Sequence, residues 1–383
     1  MSTFTDIATE TPLEAYLRLR GEGGSFLLES VEHGRLGRHS FVGRGSRLVS
    51  FAEAETCGAP VVGYLAYDHV AELEPTVPLP AEGPGLPESR FVVADELIRF
   101  DHGEDAPALP APPAPVHAPV FPSPEYEELV RRAQEHIVAG DVFQVVLSQR
   151  VERPTTASAV DLYRALRRVN PSPYLFLLEL DSLALIGSSP ETLVKREGRR
   201  ASVNPIAGTA APGNEATLLR SDKDRAEHVM LVDLGRNDLS RVCVPGSVQV
   251  ERFMQVERFS HVSHLVSEVT GELDSGVGAF DLLRACFPAG TVSGAPKVRA
   301  MQLISELEGY RRGPYAGAVG YALPDGTLDT CIAIRTIVLA DGVAYLQAGA
   351  GIVADSDPAA EHAECRAKLA ALEQAIELAE GAP

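Results

Sequence analysis

YLFLLELDSLALIG, residues 174–187, decides the fold. Two apolar runs, Tyr174 to Leu180 and Leu183 to Gly187, flank Asp181-Ser182, a pair suited to a tight turn. The pattern predicts an antiparallel hairpin. Upstream, Ala159 to Val169 reads as a helix stopped by Asn170-Pro171. Before it, Ser123 caps a helix over Glu125 to Ala139, Gly140 ends that helix, and Val142 to Arg150 makes a β-type run. Downstream, Ala226 to Leu234, Phe280 to Ala285, Pro296 to Glu308 and Ala359 to about Leu378 read as helices. Val262 to Leu273, Ala316 to Ala322, Thr330 to Leu339 and Val343 to Gln347 read as strands. No internal repeat is found. Strands that come in adjacent pairs predict an α+β chain of antiparallel sheets with helices outside, not a βαβ array.

The N-terminal part repeats the pattern with a short helix, Thr11 to Arg20, and strands at Ser25–Ser30, Arg38–Gly43, Val61–Tyr67, Phe91–Ala94 and Leu97–Phe100. A proline-rich stretch, Glu104 to Pro124, cannot form a central strand or helix and favours an extended tether. The predicted organisation is therefore an N-terminal subdomain, 1–103, a linker, 104–124, and a larger C-terminal domain, 125–380.

With 34 basic against 53 acidic residues the net charge is −19, which argues against a general phosphate-backbone binder. An anionic substrate would need a local positive site. Cys57, Cys243, Cys286, Cys331 and Cys365 form no CxxC pair, as in a reducing cytoplasm and not in a disulfide or zinc scaffold. The start shows no signal-peptide pattern, and no apolar run approaches the ~20 residues of a membrane span. A cytoplasmic protein is expected.

Several groups of residues could carry chemistry. In QAGAGIVADSDPAAEHAECRAK, residues 347–368, a small-residue turn at Ala348 to Gly351 precedes a helix started by Pro358. Glu361, Glu364 and Lys368 share one face of that helix. This is either a solvated face with an internal ion pair or part of a site for a hard divalent cation. Asp224 and Glu227 stand at i and i+3 on another helix and add oxygen ligands. Glu191 follows a strand on a tight turn, Gly187 to Pro190. Phe287 to Lys297, FPAGTVSGAPK, precedes a helix N-terminus and suits a carboxylate. Arg335 interrupts an apolar strand and needs an anionic partner. His264 alone reads as a core histidine.

Together these blocks resemble the chorismate-utilising enzymes, and among them the large subunits of anthranilate synthases. The resemblance runs through Gly187–Val194, Pro205–Thr209, Glu227–Asp238, His261–Gly271, Phe287–Met301, Tyr315–Tyr321, Asp329–Thr336 and Ala348–Lys368. It implies two large antiparallel β-sheets packed face to face, helices outside, and conversion of chorismate and ammonia to anthranilate and pyruvate. It further implies Mg²⁺ held by Glu227, Glu361 and Glu364, a general acid at Glu191, and His264 and Thr209 as further catalytic residues. Substrate contacts are expected from Gly208, Thr291, Tyr315, Arg335, Lys368 and the Gly349-Ala350-Gly351 backbone.

Two positions sort the subfamilies. Relatives that add water carry a lysine base where this chain has Gln144, and a neutral amide cannot deprotonate water. Aminodeoxychorismate synthases carry a nucleophilic lysine where this chain has Ala207. Both favour ammonia at C2. Two rival enzymes stay open: one that stops at 2-amino-2-deoxyisochorismate, and an aminodeoxychorismate synthase component. A non-catalytic regulatory subunit is a third reading. No cysteine lies in a G-x-C-x-G elbow, so ammonia would come free or from a separate glutamine amidotransferase subunit. Leu28, Glu29, Ser30, Pro171 and Tyr174 resemble a tryptophan feedback site. Between Gly43 and Gly63 the chain is shorter than expected of the family.

Overall fold

The computed structural model describes residues 10–30, 39–102, 123–210, 214–258 and 263–381. The expected linker, apart from Ser123 and Pro124, lies outside them, as does Arg38 at the start of the expected strand Arg38–Gly43.

The hairpin forms as predicted. Leu180 pairs with Leu183, and Asp181 closes the two-residue turn in the left-handed region, φ 55°. Asp tolerates that conformation because its short side chain can bond locally. The hairpin sits inside a nine-stranded antiparallel sheet. From edge to edge the sheet runs Gly294–Ala295, Gln144–Pro154, Val343–Ile352, Thr336–Ala340, Leu183–Ser189, Tyr174–Leu180, Gly24–Glu29, His39–Gly45, Glu96–Asp101. A second sheet has ten strands. Its path runs Ile206–Ala210, Ser263–Glu272, Arg200–Val203, Thr192–Glu197, Leu328–Ile332, Ala318–Ala322, Val61–Leu65, Ser89–Val93, Arg47–Val49, with Gln249–Arg258 also paired to Ser263–Glu272.

The sheets pack face to face. Phe26, Phe41, Phe176, Leu178 and Leu185 of the first meet Val62, Tyr64, Val92, Val319 and Cys331 of the second. The opposite face of the hairpin is covered too. Leu175, Leu177 and Ile186 pack under Leu162, Tyr163 and Leu166 of the helix Ala159–Val169 and Leu369, Leu372 and Ile376 of the helix Pro358–Ala379. Burial on both faces is why YLFLL is a continuous apolar run and not an alternating one. The first helix is capped by Ser158, whose Oγ accepts from the Asp161 N–H at 3.2 Å, and the second by Asp357, whose Oδ1 accepts from the Ala360 N–H at 2.8 Å.

Several segments differ from the sequence reading: Gly187 to Ser189 is no turn but the end of the strand Leu183–Ser189, and Gln249–Arg258 is a strand that the pattern did not show. Ala348 to Gly351 is no turn but the interior of the strand Val343–Ile352. Its glycines answer to close packing: a Cβ on Gly351 would lie 2.1 Å from Gln144 Nε2, and one on Gly349 2.7 Å from the Leu147 carbonyl. The single strand expected over Thr330 to Leu339 is two strands, Leu328–Ile332 in one sheet and Thr336–Ala340 in the other, broken at Arg335 with φ 52°. An unbroken apolar run hides that break from any periodicity count.

Across the hairpin, the Phe176 ring lies over Gly187, its cross-strand partner. A Cβ there would stand 2.0 Å from Phe176 Cζ. Gly187→Ala is expected to cost about 1–3 kcal/mol, read as a lower urea midpoint at unchanged m. Phe176→Leu in the same chain should recover part of the loss, and an unchanged midpoint in the single variant would contradict this packing.

Candidate active site at the seam between the sheets

The chain passes between the sheets at two adjacent places. From Leu183–Ser189 it crosses through Pro190-Glu191 to Thr192–Glu197, and from Leu328–Ile332 it crosses back through Ala333–Arg335 to Thr336–Ala340. The passes are tied together: the Ser188 N–H donates to the Arg335 carbonyl at 3.1 Å, and the Ile332 N–H to the Glu191 carbonyl at 3.0 Å. Glu191 and Arg335 thus face one cavity of about 530 Å³.

Of the expected residues, Glu191, Gly208, Glu227, His264, Thr291, Tyr315, Arg335, Gly349, Gly351, Glu361, Glu364 and Lys368 all line this cavity, as do Gln144 and Ala207. Ala350 does not. Side chains alternate along a strand, so Ala350 points the other way and joins the core with Leu147 and Ile352. The backbone of Thr209 lies in the strand Ile206–Ala210, and its side chain falls outside the described residues, as does that of Asp224. Val146, Leu231, Val292, Ile334 and Gln347 also line the wall and were not anticipated. Apolar side chains carry no signal that separates a cavity wall from a core.

Glu191 is buried and accepts the Thr291 Oγ1 hydrogen bond at 2.9 Å. Burial pushes its carboxyl up to about 8, against the opposing effects of Thr291 and the Lys368 ammonium. A carboxylic acid that holds its proton near neutrality is equipped as a general acid. His264 donates Nδ1–H to the Gly208 carbonyl at 2.7 Å, which leaves Nε2 as the basic nitrogen. Burial draws its pKa below the ordinary imidazole value, with Arg335 acting in the same direction and the Gly208 bond opposing.

Among the described residues, the Arg335 guanidinium has no ion pair or hydrogen bond, and a cation facing a cavity is a receptor for an anion. Lys368 Nζ donates to the Gly349 carbonyl at 2.7 Å and pairs with Glu364 at 2.6 Å. Glu361, one turn back, is buried and accepts from Ser356 Oγ at 2.7 Å. Glu227, on the helix Asp222–Ser240, lines the same cavity and accepts from Gln144 Nε2 at 3.4 Å. Among the described residues, Gln144 Oε1 is buried with no hydrogen-bond partner.

The donors at this pole are hard oxygens, which fits a magnesium ion. The described group of three side chains that converges within 4.8 Å lies elsewhere, at His69, Glu72 and Glu88. Glu227, Glu361 and Glu364 therefore form an open acidic pole. Mg²⁺ is commonly held so, through one or two carboxylates with water and substrate completing the shell.

A second, smaller cavity of about 120 Å³ opens between the sheets. Leu28, Glu29, Ser30 and Tyr174 line it; Pro171 does not, and Pro173 stands there instead. The Glu29 carboxylate is held by Arg167 at 2.8 Å and Tyr163 at 2.5 Å.

Residues 29–374 match the family described as chorismate binding enzyme. Anthranilate synthase component 1 of Streptomyces coelicolor is 45% identical, the match covering 97% of this chain and 88% of that protein. The Thermus thermophilus protein of the same name is 43% identical, with 97% and 96% covered. The crystal structure of anthranilate synthase component I from Streptococcus pneumoniae superposes with a TM-score of 0.78 at 33% identity, covering 96% of this chain and 99% of that one. The Streptomyces alignment spans 448 positions against 383 residues here, so at least 65 of its positions have no counterpart in this chain. The chain belongs to the chorismate-binding enzyme family.

Proposed function

We propose that this chain is the ammonia-using component I of an anthranilate synthase, converting chorismate and ammonia to anthranilate and pyruvate through 2-amino-2-deoxyisochorismate. The observation that carries the reading is that Glu191, a carboxylic acid raised by burial, shares one cavity with the Arg335 guanidinium, unpaired among the described residues, and with an acidic pole. The relatives named above support it.

Chorismate is a dicarboxylate, and each carboxylate has a receptor in this reading. Arg335 and Tyr315 take the enolpyruvyl carboxylate; Thr291, Gly208 and the Gly349 and Gly351 backbone complete the contacts. The ring carboxylate lies at the pole of Glu227, Glu361 and Glu364 with Lys368 beside it. Those glutamates would hold Mg²⁺, which when bound supplies Lewis-acid polarisation of that carboxylate. Glu191 gives its proton to the departing C4 hydroxyl, which leaves as water while ammonia bonds to C2 and the resulting ammonium loses a proton to solvent. His264 Nε2 then takes the C2 proton as the bond between ring C3 and the enolpyruvyl oxygen breaks, with Thr209 assisting; the enolate released takes up a proton at its methylene carbon to become pyruvate. Gln144 and Ala207 in the wall offer neither a base for water nor a nucleophilic amine, and this favours ammonia.

Ammonia would come from a separate glutamine amidotransferase subunit. Four of the five cysteines are buried and Cys57 is partly so, and none has a nucleophile-elbow sequence. No helix among the described residues is long and apolar enough to cross a membrane, and a cytoplasmic setting is part of the proposal.

A second reading concerns the smaller cavity. The convergence there of Leu28, Glu29, Ser30 and Tyr174 supports tryptophan as a feedback inhibitor.

Chorismate, Mg²⁺ and ammonium at alkaline pH should yield anthranilate fluorescence and one pyruvate per chorismate consumed. Chorismate loss without pyruvate would point to the enzyme that stops at the amino intermediate, and no turnover at all would sink the proposal. Two substitutions separate the poles of the cavity. Glu191→Gln should lower kcat by about 10²–10⁴-fold. In the parent, kcat corrected for free ammonia should decline as pH rises through about 8, where Glu191 loses its proton. Glu361→Gln should abolish Mg²⁺-dependent chorismate binding in calorimetry with the thermal melt little changed; a large fall in Tm would mark a structural ion pair instead. Tryptophan should inhibit the parent, and Ser30→Phe should relieve that inhibition; a parent indifferent to tryptophan refutes the feedback reading.

A further inference from the structure

Glu308 ends the helix Lys297–Glu308, and Arg312 follows a turn later. In sequence they are an ordinary i,i+4 pair. In the fold both side chains are almost wholly buried, at 0% and 1% exposure. Arg312 Nε donates to Glu308 Oε2 at 2.9 Å and Nη2 to Oε1 at 2.6 Å. The rest of the fork reaches two main-chain carbonyls: Nη1 to Val292 at 2.8 Å and Nη2 to Val146 at 2.7 Å. The guanidinium lies 4.7 Å from the Tyr67 ring centre and 5.6 Å from that of Tyr315. Glu308 Oε1 also accepts from the Ser148 N–H and Oγ, each at 2.8 Å, and Ser148 Oγ in turn accepts from Gln347 Nε2 at 2.8 Å.

Val146, Val292, Tyr315 and Gln347 all line the large cavity. Four wall segments, far apart in the chain, therefore converge on one ion pair behind the wall. Val292 follows Thr291, whose hydroxyl bonds Glu191. We propose that Glu308–Arg312 is a positioning pair that holds Thr291 on Glu191 and Tyr315 beside Arg335, and so sets the geometry of proton transfer; this rests on the functional reading given above. Packing alone does not account for it. A buried ion pair contributes little over apolar residues of equal volume, whereas a planar fork fixes two carbonyls in direction as well as distance.

The double variant Arg312→Met, Glu308→Leu separates the two roles. Removing both charges leaves neither one buried alone, so the variant should keep a single cooperative melt, with a Tm lowered because the Val292 and Val146 carbonyls and Ser148 lose their partners. Its kcat should still fall about 10–100-fold, because the carbonyls of Val292 and Val146 lose their donors and the site loosens. Loss of the Thr291 bond, which favours ionised Glu191, should also move the alkaline decline of kcat to higher pH. A double variant with parental kcat and pH profile overturns the proposal. Should that variant not fold, Arg312→Lys keeps the charge and loses the fork; the same fall in kcat with an unchanged circular dichroism spectrum supports positioning, and parental kcat refutes it. A parent that turns chorismate into another product fails the functional reading alone, and the ratios are then read on chorismate consumption.

Discussion

Two backbone hydrogen bonds at the seam carry the arrangement of this molecule. The Ser188 N–H on the Arg335 carbonyl and the Ile332 N–H on the Glu191 carbonyl lock two sheet-to-sheet crossings side by side. Each crossing delivers one charged or acidic residue, and the pairing of strands on either side leaves neither free to shift. Thr336 is in register with Gly187 in one sheet, and Thr192 with Cys331 in the other. Arg335 takes a left-handed backbone to make the turn, a conformation that costs on the order of 1 kcal/mol or more for a residue with a Cβ. Flanking pairs on both sides stabilise it. The strain is held where a guanidinium must face inward.

The electrostatics follow from that frame. A chain of net charge −19 repels a dicarboxylate at long range, so binding depends on a few local cations. Arg335 and Lys368 supply them at separate points of one wall. Between them Glu191 keeps its proton because burial penalises its charge more than Thr291 and Lys368 favour it. Moving Lys368 closer or tightening the Thr291 bond would ionise the acid and remove its proton. The site thus sets burial against solvation by its neighbours, and the distances decide which prevails.

Much of this was legible in the chain, for reasons that differ by element. The hairpin at 174–187 and the helix Ala159–Val169 are written in local pattern and turn chemistry, and they appear where expected. The carboxylates on the C-terminal helix were readable as sharing one face, but only the resemblance gave that face a role. Periodicity could not reveal the break at Arg335, since crossing between sheets depends on long-range pairing. It also mistook the Ala348–Gly351 glycines for a turn, because glycine marks close approach as readily as a bend. Glu308 and Arg312 were invisible for a similar reason: an i,i+4 pair looks alike on a surface and in a core, and only tertiary packing distinguishes them.

The way the N-terminal strands enter the sheets bears on how the molecule is made. Gly24–Glu29 pairs with Tyr174–Leu180, and Val61–Leu65 with Ala318–Ala322, so each lies beside a strand synthesised long after it. Until those later residues leave the ribosome, the early strands present unpaired edges with apolar faces such as Phe26 and Val62. Such edges are templates for association with other chains. Such pairings make this a chain of high contact order, whose first strands must wait for partners about 150 to 260 peptide bonds downstream.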